Sequence, residues 1–343
     1  MNKDISKTIT ALRFPICVMV VFIHSTLSVN MGGVDALAGG GYYVIHDYVS
    51  YGLCASAVPL FFLISGYLYF KGSESHFGWH EYVGKNKKRV RTLFVPYILW
   101  NIFTLFLFWC VQTIMPNMTS GKHFLIADYT INDWVMAFWN AGEGFPINGP
   151  MWFIRDFIVL SLLSIVIYPF IKNKLIGLFI LILFFAFGIR GEYFILGAWL
   201  GVHGIDFVNH CKKIWIIAII GYFVLVGINM SLDDTFHDII KSIHVFLGVV
   251  AITGLVGSIY EKREIGRNML FLSGTSFFIY AFHQQPLLMM CKLWKKFMPS
   301  SDIFDITGYF LLPFVIIAIS VLLYISMQRI APKTLAVLTG GRG

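Results

Sequence analysis

An arginine and a histidine share the first apolar run of the chain, about residues 8–29. Arg13 and His24 are eleven residues apart, which advances an α-helix by about 1100°, some 20° past three full turns. Both side chains therefore project from one helix face, about 16 Å apart along its axis. An ionisable group at mid-membrane costs at least about 2.5 kcal/mol on insertion scales, so both residues are functional candidates. An imidazole suits general base catalysis, and a guanidinium suits an anionic ligand.

The competing interpretation of this pair is structural. An arginine can snorkel towards the lipid headgroups, and a histidine can be satisfied by hydrogen bonds within a helix bundle. Two such residues on one face must line a cavity or contact protein rather than lipid. We therefore favour a functional role for Arg13 and His24 together.

Further ionisable residues lie near the ends of later apolar runs. Arg155 and Asp156 open the fourth run, and His283 lies in the ninth at a depth similar to that of His24. Because adjacent residues on a helix do not face each other, we expect Arg155 and Asp156 to have separate partners. A structural ion pair and a packed histidine are the simpler alternatives. All three are candidates for orienting His24 or binding a substrate.

A basic cluster precedes the third apolar run. It ends with the segment KNKKRVR at residues 85–91. Membrane topology and attraction to anionic lipids explain most of this charge. The more specific alternative is that Lys88, Arg89 and Arg91 form a site for a phosphorylated ligand, because the guanidinium fork binds phosphate in a bidentate manner.

The composition requires a membrane to position these residues. Of 343 residues, 57% are hydrophobic and 13% are charged, against about 25% charged in ordinary soluble domains. Mean hydropathy is +0.74. A soluble enzyme, a secreted disulfide scaffold and a disordered chain are excluded, because none uses so much apolar side chain. The net charge of +8 sits in loops between apolar runs, which disfavours nucleic-acid binding, and the five scattered cysteines give no metal-binding spacing.

The apolar runs predict an all-α, polytopic helix bundle in a single domain, residues 1–343. We expect ten transmembrane helices, at about 8–29, 51–70, 93–115, 151–171, 174–189, 192–205, 213–231, 240–260, 269–291 and 305–328. With the N-terminus inside, eighteen Lys and Arg residues fall in inner segments and six in outer ones. This bias predicts that both termini are cytoplasmic. Arg13 and the absence of a clean cleavage pattern favour a retained first span over a signal peptide.

Two long connections are expected on the outer side, at about 30–50 and 116–150. Both are rich in Gly, Asn and aromatic residues. The second is unusually long for a compact connection, which makes it a candidate functional loop.

Six sequence elements occur in a recognisable order. They are Arg13-x10-His24, VPLFFLISGY at 58–67, KRVRTLFVP at 88–96, GPMWFI at 149–154, YFILGAWL at 193–200 and SFFIYAFH at 276–283. No single element is specific, but together they resemble the acyltransferase family 3 membrane proteins from the first span to the tenth. Met151 and Phe277 depart from the common Leu and Tyr of that pattern.

The resemblance implies an enzyme of the bacterial inner membrane. Its relatives move an acyl group, usually acetyl, from cytoplasmic acyl-CoA to a hydroxyl of a surface glycan or its lipid-linked precursor. Acetyl-CoA is then a co-substrate, and no metal is implied. The chain resembles members without a fused SGNH-type domain. The resemblance leaves the acceptor, the acyl length and the oligomeric state open.

The residues and the resemblance fit one scheme. Lys88, Arg89 and Arg91 hold the CoA phosphates, and Arg13 holds charge deeper in the pore. His24 acts either as the general base or as a covalent acyl carrier. Ser65, beside Gly66, permits a break or a close approach in the second span, and Trp152 is a packing or pore-lining residue. The rival functions are a transporter of a small polar solute and a scaffold in a glycan-export complex.

Overall fold

Helices form nearly all the regular structure of the protein. The structure is a computed structural model that describes residues 3–27, 40–114, 125–189, 191–231, 234–260 and 263–341. Within these ranges no strand occurs, and a single β-bridge joins Gly142 to Phe145. The α-helices are α1 Lys3–Ile23, α2 Gly41–His46, α3 Ala57–Phe70, α4 Trp79–Arg89, α5 Val95–Ile114, α6 Ile131–Ala137, α7 Trp152–Leu162, α8 Ser164–Lys172, α9 Lys174–Ala186, α10 Glu192–Val202, α11 Phe207–Asn229, α12 Asp234–Tyr260, α13 Arg263–Phe282, α14 Gln284–Phe297, α15 Asp302–Ile330 and α16 Pro332–Leu338. The predicted all-α fold class is confirmed.

The helices make this a multi-pass membrane protein. Six helical stretches of the described chain are long and apolar enough to cross a membrane, namely Ile5–Ile23, Gly41–Phe70, Trp79–Ile114, Phe207–Asn229, His237–Tyr260 and Asp302–Ile330. The bent pair α7–α8 is a seventh candidate, and α9, α10 and Asn268–Phe282 are shorter apolar helices. Each predicted span overlaps one of these elements. The number of crossings and the sides of the termini stay predictions.

The fourth predicted span is not one straight helix. α7 and α8 meet at an angle of 67°. Side chains of neighbouring helices take the carbonyls at the bend: Asn86 donates to the Ser161 oxygen at 3.4 Å, and Tyr82 donates to the Leu162 oxygen at 3.1 Å. The hydroxyl of Ser161 also bonds back to the Phe157 carbonyl, which is a known cause of helix bending. The bend is therefore stabilised by the bundle.

The ninth predicted span, 269–291, contains one interruption. The chain breaks at His283, where α13 ends and α14 begins. Pro286 explains the break, because it has no N–H for the carbonyl of Phe282, four residues earlier, and its ring crowds that carbonyl. His283 therefore lies at a helix junction.

The two long outer connections are more ordered than expected. Residues 41–50, expected in a loop, are helical and continue without interruption to Phe70. Of the 116–150 connection, the described part includes short helices at Ile126–Asp128, Ile131–Ala137 and Gly149–Met151. The remaining parts of both connections, 28–39 and 115–124, lie outside the described residues.

Glycines bring α3 and α10 into backbone contact. A Cβ on Gly66 would come within 2.1 Å of the Phe194 carbonyl oxygen. A Cβ on Gly197 would come within 2.0 Å of the Leu63 carbonyl oxygen. Small residues at the interface allow this approach, as in many membrane helix pairs. Of the two alternatives expected beside Ser65, the close approach is present, and α3 is continuous.

Candidate active site

The site is built on α1 and α13, which run parallel and in register. Near one end the hydroxyl of Ser273 donates to the carbonyl of Ala11 at 3.4 Å. Further along, the Cys17 thiol donates to the carbonyl of Ser276 at 3.3 Å. Beyond the end of α1, the imidazole of His24 lies against His283. We call this contact line the α1–α13 seam; Arg13 and His24 mark its two ends.

A cavity opens at the Arg13 end of the seam. Its volume is about 150 Å³. Its lining includes Arg13, Arg89 and Ser65. The rest of the lining consists of residues of α13 and an apolar wall from other segments: Ser273, Gly274, Ser276, Phe277 and Tyr280 of α13, and Phe61, Ile64, Leu68, Leu93, Phe153, Ile154 and Phe157. The structure thus brings together three residues that the sequence placed in different motifs. Lys88 and Arg91 are exposed and do not line this cavity.

The cavity combines two guanidinium groups with no carboxylate in its lining. Neither Arg13 nor Arg89 forms an ion pair or a side-chain hydrogen bond with any described residue. The guanidinium carbon of Arg89 lies over two aromatic rings, 5.1 Å from the ring centroid of Phe157 and 5.6 Å from that of Tyr69. Half-buried positive groups without a partner are costly, and an anionic ligand offsets that cost. The cavity is suited to an anion attached to an apolar or slender group.

The other end of the seam holds a pair of imidazoles. α1 ends at Ile23, so His24 lies in the turn that follows, with its N–H bonded to the Val21 carbonyl at 3.2 Å. Its ring centroid is 5.3 Å from that of His283, which is fully buried. The Nδ1 of His283 is 3.0 Å from the Ile279 carbonyl oxygen. Because a carbonyl only accepts, Nδ1 carries the proton in the neutral ring, and Nε2 is left as an acceptor.

Arg155 and Asp156 do not have the separate partners expected of them. The Arg155 Nη2 is 2.8 Å from Oδ1 of Asp156, because a long guanidinium side chain can fold back along its own helix turn. Arg155 also donates to the carbonyls of Trp139 and Gly144 and lies over the Trp139 ring. This arginine therefore anchors the segment before α7. The structure shows no contact between it and His24.

Trp152 is a packing residue in this structure. Its ring lies 6.1 Å from that of Phe62 and 6.3 Å from that of Phe145, and it does not line the cavity. Packing was one of the two roles expected for Trp152, and its functional role stays a prediction.

Comparison with known proteins gives this site a chemical context. The family model described as acyltransferase domain matches residues 7–325, nearly the whole chain. The chain belongs to the acyltransferase family. This acyltransferase is also similar to the succinoglycan biosynthesis protein ExoH of Rhizobium meliloti (strain 1021), with 26% identity over 369 aligned positions that cover 100% of this chain and 94% of the relative. No solved structure matches it.

Several residues of the acyltransferase site were missed at the sequence level. Tyr280, for which the sequence suggests only a packing or pore-lining role, lines the cavity one helical turn before His283, and its hydroxyl donates to the Pro150 carbonyl. Asn148, which bonds to the Ala281 carbonyl, and Gln284, which follows His283, were not singled out. The only signal for them was position: one precedes the GPMWFI element, and the other follows His283.

His46, a buried histidine with a carboxylate partner, was also missed at the sequence level. The Nδ1 of His46 is 2.8 Å from Oδ1 of Asp47, and its ring is enclosed by Tyr42, Tyr51 and Tyr309. It lies apart from the cavity lining. Among the described residues of the acyltransferase, no group of three or more His, Cys, Asp or Glu side chains is arranged to hold a metal ion.

Proposed function

We propose that this acyltransferase moves an acyl group, acetyl in the simplest case, from acyl-CoA to a hydroxyl of an extracytoplasmic glycan or its lipid-linked precursor. The observation that carries the proposal is the α1–α13 seam, which joins a cavity with two unpaired guanidinium groups to a pair of imidazoles. The similarity to a succinoglycan biosynthesis protein supports a glycan acceptor.

The donor binds at the Arg13 end. CoA is a large anion, so its phosphates stay on the cytoplasmic side, where the basic residues concentrate. Arg13 and Arg89 bind the phosphates in the cavity, and Lys88 and Arg91 raise the local concentration of the anion from their exposed positions. The slender pantetheine arm then extends from the cavity, beside the seam, towards His24, which lies about 16 Å from Arg13 along the helix axis.

The chemistry takes place at the His24 end. The acceptor hydroxyl attacks the thioester carbonyl, His24 takes the hydroxyl proton, and the C–S bond breaks as the oxygen ester forms. The CoA thiolate leaves and accepts the proton from His24. In the covalent variant, His24 attacks first, releases CoA and then passes the acyl group from its ring nitrogen to the hydroxyl. Both variants need His24 unprotonated at the start.

The proposed orientation follows from the charge bias of the loops. Both termini and the Arg13 end lie on the cytoplasmic side of the bacterial inner membrane, and the His24 end faces the opposite side. Donor and acceptor therefore reach the seam from opposite faces, and no step requires CoA to cross the membrane.

Calorimetry of acetyl-CoA binding to purified protein tests the proposal. We expect binding to the wild type, at least about tenfold weaker binding to Arg13→Ala and to Arg89→Ala, since each loses a charge-assisted contact, and a smaller effect of Lys88→Ala as the exposed matched control. If the folded wild type binds no acetyl-CoA, the proposal fails, and solute uptake by the rival transporter is measured next. Equal binding by Arg13→Ala would remove the role of that residue.

A further inference from the structure

Three buried hydrogen-bonding atoms without partners belong to residues at the helix junction of His283 or in contact with its neighbours in the chain. They are Nε2 of His283, Oδ1 of Asn148 and Oε1 of Gln284. None has a hydrogen-bond partner in the described part of the chain. His283 and Asn148 are 0% and 3% exposed. Buried polar atoms are nearly always paired in folded proteins, so these three acceptors are suited to a ligand that donates hydrogen bonds.

The orientation of the Asn148 amide is fixed by its neighbours. Its Nδ2 donates to the carbonyl of Ala281 at 3.0 Å and to Oγ1 of Thr104 at 2.9 Å. The carbonyl can only accept, and the Thr104 hydroxyl already donates to the Trp100 carbonyl. The NH₂ group must therefore point at these two oxygens. Oδ1 is left as an unpaired acceptor.

The same contacts place Asn148 and Gln284 beside the histidine pair. Asn148 bonds to Ala281, two residues before His283, and Gly149 packs against the side chain of Gln284, the residue after it. A Cβ on Gly149 would lie 2.7 Å from Oε1 of Gln284, so the glycine leaves room for that amide.

We propose that Asn148, Gln284 and His283 form a subsite that binds hydroxyl groups of the sugar acceptor; this inference rests on the proposed function. Oδ1 of Asn148 and Nε2 of His283 can only accept hydrogen bonds, and Oε1 of Gln284 is a third acceptor. Their common complement is a neutral ligand that donates several hydrogen bonds, as neighbouring sugar hydroxyls do. A carboxylate or phosphate would be repelled, because it offers no proton. The subsite thus selects a neutral, polyhydroxylated part of the acceptor and holds one hydroxyl near His24.

The test variant is Gln284→Met, which keeps the length of the side chain and removes only its amide. Gln284 forms no hydrogen bond with the described residues, so the substitution removes no hydrogen bond within the fold. Gln285→Met is the matched control, a half-buried neighbour with the same chemistry outside the cluster. Each variant replaces the gene in the source strain, and the O-acyl content of the surface polysaccharide is measured by proton NMR before and after mild alkali. Protein levels are matched by immunoblot, and acetyl-CoA affinity is measured on purified protein.

The expected result is an O-acyl content at least about tenfold lower in Gln284→Met, the effect of one lost buried hydrogen bond, with unchanged acetyl-CoA affinity. Gln285→Met should match the wild type. Wild-type O-acylation in Gln284→Met would overturn the subsite. If Gln284→Met does not accumulate, Gln284→Ala, which leaves room for water, is judged on the same terms. Failure of the wild type to bind acetyl-CoA, or unchanged O-acylation after gene deletion, would instead overturn the proposed function and the subsite with it.

Discussion

The ring centroids of His24 and His283 lie 5.3 Å apart, although the two residues come from opposite ends of the chain. The contact exists because α1 and α13 run parallel and the hydrogen bonds between them keep the two helices in register. His283 directs its protonated nitrogen to its own helix and leaves the other as an acceptor. The subsite proposed above uses that acceptor for a sugar hydroxyl, which would hold the hydroxyl beside the ring of His24.

His24→Ala should abolish acyl transfer and leave acetyl-CoA binding within about twofold of wild type, because the residue lies at the far end of the seam from the cavity. Transfer is measured as O-acyl content in cells, and binding is measured by calorimetry. His210→Ala, at an exposed histidine, is the control and should behave as wild type. Full transfer by His24→Ala would exclude it as base and as acyl carrier.

His283 is expected to act as a positioning residue for the acceptor hydroxyl beside His24. The amide of Gln reaches where Nε2 of histidine lies, whereas the amide of Asn reaches only to Nδ1. We therefore expect His283→Gln to keep more activity than His283→Asn, with a loss of about tenfold to a hundredfold in kcat for the Asn variant and little change in KM for acetyl-CoA. Initial rates of CoA release with each purified variant separate kcat from KM. Equal rates in the two variants would contradict the positioning role.

Arg155→Ala should loosen the segment before α7 without weakening the donor site. The variant loses bonds to the carbonyls of Trp139 and Gly144, and we expect about 2 kcal/mol lower free energy of unfolding, as for a bond to a charged group. A protease that cuts after glutamate should then cleave at Glu143 faster, as followed by mass spectrometry. Lys172→Ala is the control. An unchanged cleavage rate would show that Arg155 does not anchor the segment.

Gly197→Ala should destabilise the bundle by about 3 kcal/mol, because the new methyl group would meet the Leu63 carbonyl oxygen of α3. Gly227→Ala is the matched control, since a Cβ at that position has nothing within 4 Å. Thermal unfolding in detergent, followed by tryptophan fluorescence, compares the two. Similar transition temperatures in both variants would refute the close packing of α3 and α10.

The apolar runs were enough to predict the fold class, because hydropathy depends on local composition. They failed at two places where the helix is interrupted. In the ninth run, Pro286 carried the signal for the break at His283. In the fourth run, Ser161 favours bending from within the run, but the bend also depends on Tyr82 and Asn86, which reach the carbonyls of α7 from α4. A window of consecutive residues contains no information about such a partner.

The sequence by itself determined which residues were candidates for chemistry. Helical spacing put Arg13 and His24 on one face, and the cost of charge in a membrane made them conspicuous. Tertiary structure decided their partners. In the folded protein, Arg89 lines the cavity, whereas Lys88 and Arg91 do not. Arg155 pairs with the adjacent Asp156 and does not line the cavity. The physical reason is that periodicity fixes directions along one helix, whereas contacts between helices depend on how separate segments pack.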